Sequence, residues 1–249
     1  MDDEDLWLLR FHPCAEPAAR LVCLPHAGGS ASYYFPLSRT LSPEVEVLAV
    51  QYPGRQNRLR EGYAASIDEL VDGVHGALEP IARSSDVPLA FFGHSMGAVV
   101  AFELARRLPP LHLFVSGRRA PACLRDERQH TLDDAGLLRV LAENGGTHRS
   151  VLDNPELRAL FLPTIRNDYR LTESYRYTPG PPLGCPITVL TGDADPAVTL
   201  DEATAWRGHT SADFDCRVYS GGHFYLEEHA QRIADLLRVR LVKPSSPQA

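Results

Sequence analysis

Short apolar runs punctuate the chain at Trp7–His12, Leu21–Leu24, Val45–Tyr52, Leu89–Phe92, Leu111–Ser116, Ile187–Thr191 and Cys216–Tyr219. Several are apolar at every position rather than every second one, the pattern of strands buried on both faces of a parallel sheet. Between them, apolar residues recur at helical spacing. Ser66-Ile-Asp-Glu69 is a capping box that opens a helix running to about Ala82. Further helices are predicted over Met96–Leu108, Leu200–Trp206 and Tyr225–Leu241. Strands alternating with helices predict one doubly wound α/β domain over residues 1–249: a mostly parallel, twisted sheet of about seven strands with helices on both faces.

The alternation fails once. Between Pro121 and Gly184 nothing reads as a strand, and helical patterns stand only around Asp133–Glu143 and Pro155–Tyr169. Asn154-Pro155 makes a good helix start, with Pro at the first helical position. Pro163 is expected to kink or end that helix. A helical insertion at about residues 122–183, placed between two sheet strands, is expected to lie as a lid over their C-terminal ends. The alternative is an extra packing layer with no gating role. The Pro/Ser stretch 243–249 reads as a disordered tail.

Composition narrows the classes. A hydrophobic content of 44% and a charged content of 23% are ordinary for a soluble globular protein. The net charge of −7, with no basic stripe, argues against nucleic acid as a partner. Five scattered cysteines without a C-x-x-C pair argue against a disulfide framework or a zinc site, and Cys23 in its apolar run reads as core. The Met-Asp-Asp-Glu-Asp start is the opposite of a signal peptide, and no apolar run approaches ~18 residues. A cytoplasmic protein with no membrane segment is expected.

The chemistry begins at Gly93-His94-Ser95-Met96-Gly97, a G-x-S-x-G motif between a strand and an Ala-rich helix. Such a turn strains the serine backbone and lifts its hydroxyl above the sheet edge. Side chains at 93 or 97 would collide with the neighbouring strand and helix. His94 adjoins Ser95 but should point elsewhere, so it reads as structural.

A serine hydroxyl is too weakly acidic to attack unaided and needs an imidazole oriented by a carboxylate. On this kind of fold the chain order is Ser, acid, His. Of ten histidines, His223 alone follows a late strand in the right order, in the loop Ser220-Gly-Gly-His-Phe224. Gly192-Asp-Ala-Asp-Pro196 offers two acids. Asp195, before Pro196, is the preferred orienter, Asp193 reads as a loop brace, and Asp201 is a distant third. An oxyanion would need two N–H donors, one from Met96 after the nucleophile and one from Ala27 in the loop Leu24-Pro-His-Ala-Gly-Gly29. His26 and Gly28 are candidate substrate contacts, with His26 more in the role of a brace. The lid residues Leu157, Leu160, Phe161 and Ile165 either line an acyl channel or pack on the sheet.

With these segments placed, the chain resembles the type II (external, editing) thioesterases of polyketide and nonribosomal peptide assembly lines, in the α/β-hydrolase superfamily. The resemblance rests on the HAGG, G-x-S-x-G and GGHF segments, and more specifically on Tyr52-Pro-Gly-Arg-Gln-Asn-Arg-Leu-Arg-Glu61 and Ser116-Gly-Arg-Arg-Ala-Pro121. It implies hydrolysis of acyl or aminoacyl groups from the phosphopantetheine arm of acyl or peptidyl carrier proteins, no metal or resident cofactor, and a monomer. Because carrier proteins are acidic and this chain is net negative, docking would need a local basic face. Arg55, Arg58, Arg60, Arg118, Arg119, Arg166 and Arg170 are the candidates. Rival readings are a medium-chain fatty-acyl thioesterase or esterase, an acyltransferase using the same serine, and a non-catalytic adaptor. The intact Ser95, Asp195 and His223 set argues against the last.

Overall fold

The computed structural model describes residues 6–145 and 154–242. The Met1–Asp5 start, the 243–249 tail and Lys243 lie outside the described residues. The strands are β1 (Leu8–Leu9), β2 (Ala19–Leu24), β3 (Val45–Val50), β4 (Leu89–His94), β5 (Leu113–Ser116), β6 (Ile187–Gly192) and β7 (Phe214–Tyr219). They form a seven-stranded sheet in the order β1-β3-β2-β4-β5-β6-β7. Every pairing is parallel except β1 against β3. The predicted Trp7–His12 strand shrinks to Leu8–Leu9 because it is an edge with one neighbour.

The described helices are α1 (Phe35–Leu41), α2 (Ile67–Ser84), α3 (Met96–Arg107), α4 (Asp134–Asn144), α5 (Pro155–Ser174), α6 (Leu200–Thr204) and α7 (Ala230–Leu241). On α2, the buried positions Ile67, Leu70, Val71, Val74, Ala77, Leu78 and Ile81 recur every three or four residues and face the sheet. Each buried Leu, Ile or Val contributes about 1.5–3 kcal/mol. One core lies between the sheet and α2–α3, where Val22, Leu48 and Phe91 meet Val74 and Val100. The other lies between the sheet and α1–α7, where Cys23, Val47 and Phe92 meet Leu41 and Leu237. Cys23 is fully buried there, and burial pushes its thiol up, so it is inert filler. No described helix is long and apolar enough to cross a membrane.

Four local expectations change. Ser66 caps α2 by accepting from Glu69 N–H, but the Glu69 carboxylate accepts from Ala65 N–H instead of closing the box on Ser66. A full capping box forms at Thr199 and Glu202, and α6 continues from it as a 3₁₀ turn over Ala205–His209. The last helix begins at Ala230 instead of Tyr225, because residues 222–229 turn to aim His223 and bury Tyr225. Finally, α5 runs through Pro163 to Ser174. The carbonyl that proline leaves without an intrahelical donor is that of Ala159, an exposed residue that water can satisfy. The same holds for Pro80 in α2, four residues after exposed Gly76.

The insertion between β5 and β6 contains α4 and α5 and, among its described residues, no strand. Its helices pack on each other through Leu137, Leu141, Leu162 and Ile165, a small cluster separate from the two sheet cores. It covers the C-terminal ends of the central strands, where the polar side chains of interest converge.

Candidate active site

Ser95 sits between β4 and α3 with φ 53° and ψ −114°, a conformation few L-residues adopt. Backbone contacts hold it there. A Cβ on Gly93 would fall 2.1 Å from the Gly97 carbonyl oxygen, and one on Gly97 would fall 2.0 Å from the Leu24 carbonyl oxygen. Ser95 N–H donates to the Ser116 carbonyl at 2.8 Å, tying the turn to β5. Met96 is the first residue of α3, so its N–H has no acceptor within the helix.

His223 and Asp195 meet as the chain order requires. The imidazole Nδ1 lies 2.9 and 3.0 Å from the two Asp195 carboxylate oxygens, and the Asp195 side chain is fully buried. Ala197 N–H donates to the same carboxylate at 2.8 Å, which fixes its rotamer. With Nδ1–H given to Asp195, Nε2 carries the lone pair. Asp193, the other acid, accepts from Gly221 N–H at 2.9 Å and only braces the histidine loop. The two loops touch through backbone: a Cβ on Gly192 would lie 2.4 Å from the carbonyl oxygens of Gly221 and Gly222. Ser95 and His223 both line one cavity, yet their side chains close no hydrogen bond in this state. Nucleophile–base bonds are commonly long until substrate binds.

Two further imidazoles flank His223. His94 lies 4.9 Å away between ring centroids, buried, with Nδ1 at 2.9 Å from Ser116 Oγ, which in turn is 2.6 Å from the Tyr225 hydroxyl. Burial pushes His94 far below the ordinary histidine value, and the charge of His223 adds to the effect. His26 packs edge-on against Tyr33 and Phe224. Burial, then the charges of His223 and Arg55, lower it to about 3. Burial thus favours the neutral form of both rings, which pack beside His223 as braces.

The Leu24–Gly29 loop is a tight turn closed by Gly29 N–H donating to the His26 carbonyl at 2.9 Å. Gly28, at its third position, has φ 76°, as a type II turn demands. No acceptor among the described residues takes Ala27 N–H. Gly28 N–H donates to Asp168 Oδ2 of α5 at 2.8 Å. Arg55 donates to both oxygens of that carboxylate, at 2.8 and 2.9 Å, and to the Gly29 carbonyl at 2.9 Å. Gln51 completes the frame, accepting from Ala31 N–H and donating to the Arg55 carbonyl. Asp168 is 0% exposed and Arg55 7%. Removing one partner of such a buried pair typically costs about 3–5 kcal/mol.

A cavity of about 410 Å³ opens at this point, with Ser95, His223, His26, Ala27 and Gly28 on its wall. The insertion supplies Leu141, Phe161, Ile165 and Tyr169, and the loop after β5 supplies Arg118 and Arg119. Phe161 and Ile165 line the cavity, whereas Leu157 and Leu160 do not. Leu157, one turn before Phe161, is half-exposed near the start of α5, and Leu160 is exposed.

Most of the candidate basic residues are paired within the chain. Arg55 is consumed by Asp168, buried Arg58 by Glu61 and the Trp7 ring, and buried Arg119 by Glu127. Arg166 binds Asp134 and carbonyls of the insertion, and Arg170 binds the carbonyls of Ala64 and Ala65. Each is tied to a partner within the chain. Of the seven, Arg60 is exposed, and Arg118 lines the cavity with its guanidinium pulled down to about 10 by burial and by Arg119. Asp168, Gln51 and Tyr225 are site-supporting residues that the motifs did not mark.

A nucleophile turn after a central strand, a His–Asp pair from later loops and a mostly parallel seven-stranded sheet define a serine hydrolase of the α/β-hydrolase class. The thioesterase domain family matches residues 19–241, and the chain belongs to it: it is a thioester hydrolase. It is 48% identical to thioesterase PikA5 of Streptomyces venezuelae, over 99% of this chain and 90% of that one. Its fold matches the type II thioesterase BorB of the borrelidin biosynthetic cluster with a TM-score of 0.88 and 46% identity, covering 95% and 98% of the two chains. YbtT, a type II thioesterase of the yersiniabactin NRPS/PKS pathway, matches with a TM-score of 0.82 and 32% identity over 94% and 98%.

Proposed function

We propose that this enzyme hydrolyses acyl groups from the phosphopantetheine arm of acyl or peptidyl carrier proteins, and so clears stalled or mis-primed assembly lines. His223, held by Asp195 at 2.9 Å and sharing a cavity with a strained Ser95, is the observation that carries this reading. Similarity to BorB and YbtT supports the carrier-bound substrate.

In this mechanism Ser95 Oγ attacks the thioester carbonyl carbon while His223 Nε2 takes its proton. Asp195 stabilises the imidazolium so formed. The oxyanion is held by the N–H groups of Ala27 and Met96, each such donor being worth about 10²–10³ in rate. Collapse breaks the C–S bond, and His223 returns the proton to the departing pantetheine sulfur. Water then attacks the acyl-Ser95 ester with His223 as base, releasing a free acid and restoring the serine. Every proton and electron pair is handled by this chain's side chains, its backbone and water, so no resident metal or cofactor is required. The insertion acts as the lid, with Phe161 and Ile165 contacting the acyl chain.

The test is a panel of carrier proteins loaded with different acyl groups, incubated with the enzyme and weighed intact. Loss of the acyl mass with retention of the pantetheine arm is expected. Faster turnover of soluble oxoesters than of carrier thioesters would favour an esterase instead. Acyl transfer to an added amine or alcohol would favour a transferase.

A further inference from the structure

We infer that Arg118 is a specificity-determining residue: its guanidinium, on the wall of the active-site cavity, receives a carboxylate carried on the acyl group, so that ω-carboxyacyl thioesters are a substrate class of this enzyme. The inference rests on the proposed hydrolysis at Ser95 and names one class of acyl chain for it.

Arg118 enters from the loop after β5, one residue from a contact with the catalytic histidine. Gly117, just before it, has φ 57°, and a Cβ there would lie 3.2 Å from His223 Cε1. The backbone is fixed on both sides: Gly117 N–H donates to the Leu190 carbonyl at 2.9 Å, and Trp206 Nε1–H donates to the Arg118 carbonyl at 2.8 Å. The side chain, by contrast, makes no hydrogen bond or ion pair among the described residues. The acids on the same wall do not supply one. Glu127 accepts from Arg119 at 2.5 and 3.1 Å and lies 3.8 Å from Arg125, which is itself held by Glu202 at 2.6 Å. Glu173 accepts from Gln129 N–H at 2.8 Å, from His130 N–H at 3.2 Å and is paired with the His130 ring. Glu143 is exposed on α4. Three arginines thus share Glu127 and Glu202, and one positive charge is left over. Burial and Arg119 lower the Arg118 guanidinium to about 10, which leaves it charged at neutral pH. A half-buried cation with every donor free is uncommon, because desolvation without a partner is costly. Its planar fork fits a carboxylate through two parallel N–H···O bonds. The apolar wall of Leu141, Phe161 and Ile165 can hold the methylenes between that carboxylate and the thioester. The other anion on the substrate, the pantetheine phosphate, stands at the far end of the arm from the sulfur, whereas Arg118 stands beside the thioester end.

The test measures kcat/KM of the full-length enzyme on matched acyl-N-acetylcysteamine thioesters, which lack the phosphate: succinyl and glutaryl against uncharged acyl groups of the same length. Arg118→Met should lower the charged-to-uncharged ratio by about 10–100-fold, the usual contribution of a hydrogen bond to a charged group. Arg118→Lys keeps the charge but loses the fork, and should fall between the two. Removing the Arg118 side chain leaves no partner unpaired, so the variants should fold; if Arg118→Met does not, Arg118→Gln carries the same comparison. Equal losses on both members of a pair overturn the inference. So does a wild-type enzyme that cleaves the uncharged thioesters and none of the charged ones. The same acyl groups carried on 4′-phosphopantetheine separate the two anions. A loss that appears only with the phosphate, whatever the acyl group, assigns Arg118 to the arm and overturns the inference as well. If the wild type leaves charged and uncharged thioesters alike intact, the proposed hydrolysis itself fails; if it cleaves both and only the ratio is unmoved, the carboxylate role alone falls.

Discussion

Two turns present groups to the same cavity, and they are held by different physics. The turn at Gly93–Gly97 is enforced by backbone pressed on backbone, with 2.0–2.1 Å left for any added Cβ. The turn at His26–Gly29 is held by side chains, chiefly a carboxylate from the insertion. The first is local, rigid and written as a motif. The second depends on a carboxylate from a helix distant in the chain.

Experiments can break or sharpen this contrast. Ser95→Ala should lower thioester turnover by on the order of 10⁶, read by acyl release from a carrier protein. An unchanged rate would remove the nucleophile turn from the chemistry. Asp195→Asn should cost about 10⁴ in kcat by disturbing the tautomer and orientation of His223. Asp193→Asn keeps an acceptor for Gly221 N–H and should leave kcat close to wild type; equal losses would mean the acid was misassigned. Gly97→Ala forces a methyl into the Leu24 carbonyl and should destabilise by about 3 kcal/mol or more in urea unfolding. Gly76→Ala, on the exposed face of α2 with nothing within 4 Å, should instead stabilise by about 0.5–1 kcal/mol. If both cost the same, backbone crowding is not what holds the nucleophile turn.

A further effect is on pH dependence. His26 has a folded-state value near 3 against 6.5 for an ordinary histidine, so below about pH 6.5 the unfolded chain binds a proton that the folded one does not. Its contribution is present above that pH and is lost as pH falls towards 3, at up to about 1.4 kcal/mol per pH unit. Unfolding free energies measured between about pH 7 and 4 should therefore decline, and His26→Gln should reduce the slope by about one proton. An unchanged slope would mean that the ring is charged or solvated in the folded state.

Much of the fold was legible in the sequence. The apolar runs marked every strand, and the chain order of Ser95, Asp195 and His223 anticipated which loops would meet. The choice of Asp195 over Asp193 followed from its place before Pro196, and the bond to His223 agrees with it. The burial of Arg55 was not legible, because charge in sequence looks the same whether it faces solvent or a buried carboxylate. Asp168 left one visible trace: it falls on the apolar stripe Leu162, Ile165, Leu171 of α5, where an acid has no reason to sit unless it is paired. Pro163 is expected to kink or end α5, yet the helix runs through it to Ser174, because the local rule ignores whether the freed carbonyl can reach water.

Local sterics and periodicity act over a few residues, and those few residues are adjacent in the chain. The sequence by itself therefore determined the strands, the nucleophile turn and the order of the catalytic groups. Only the tertiary structure decided that Asp168 and Arg55, 113 residues apart, would meet against the His26–Gly29 turn. A buried ion pair is an agreement between distant segments, and neither segment alone carries the information that the other will arrive.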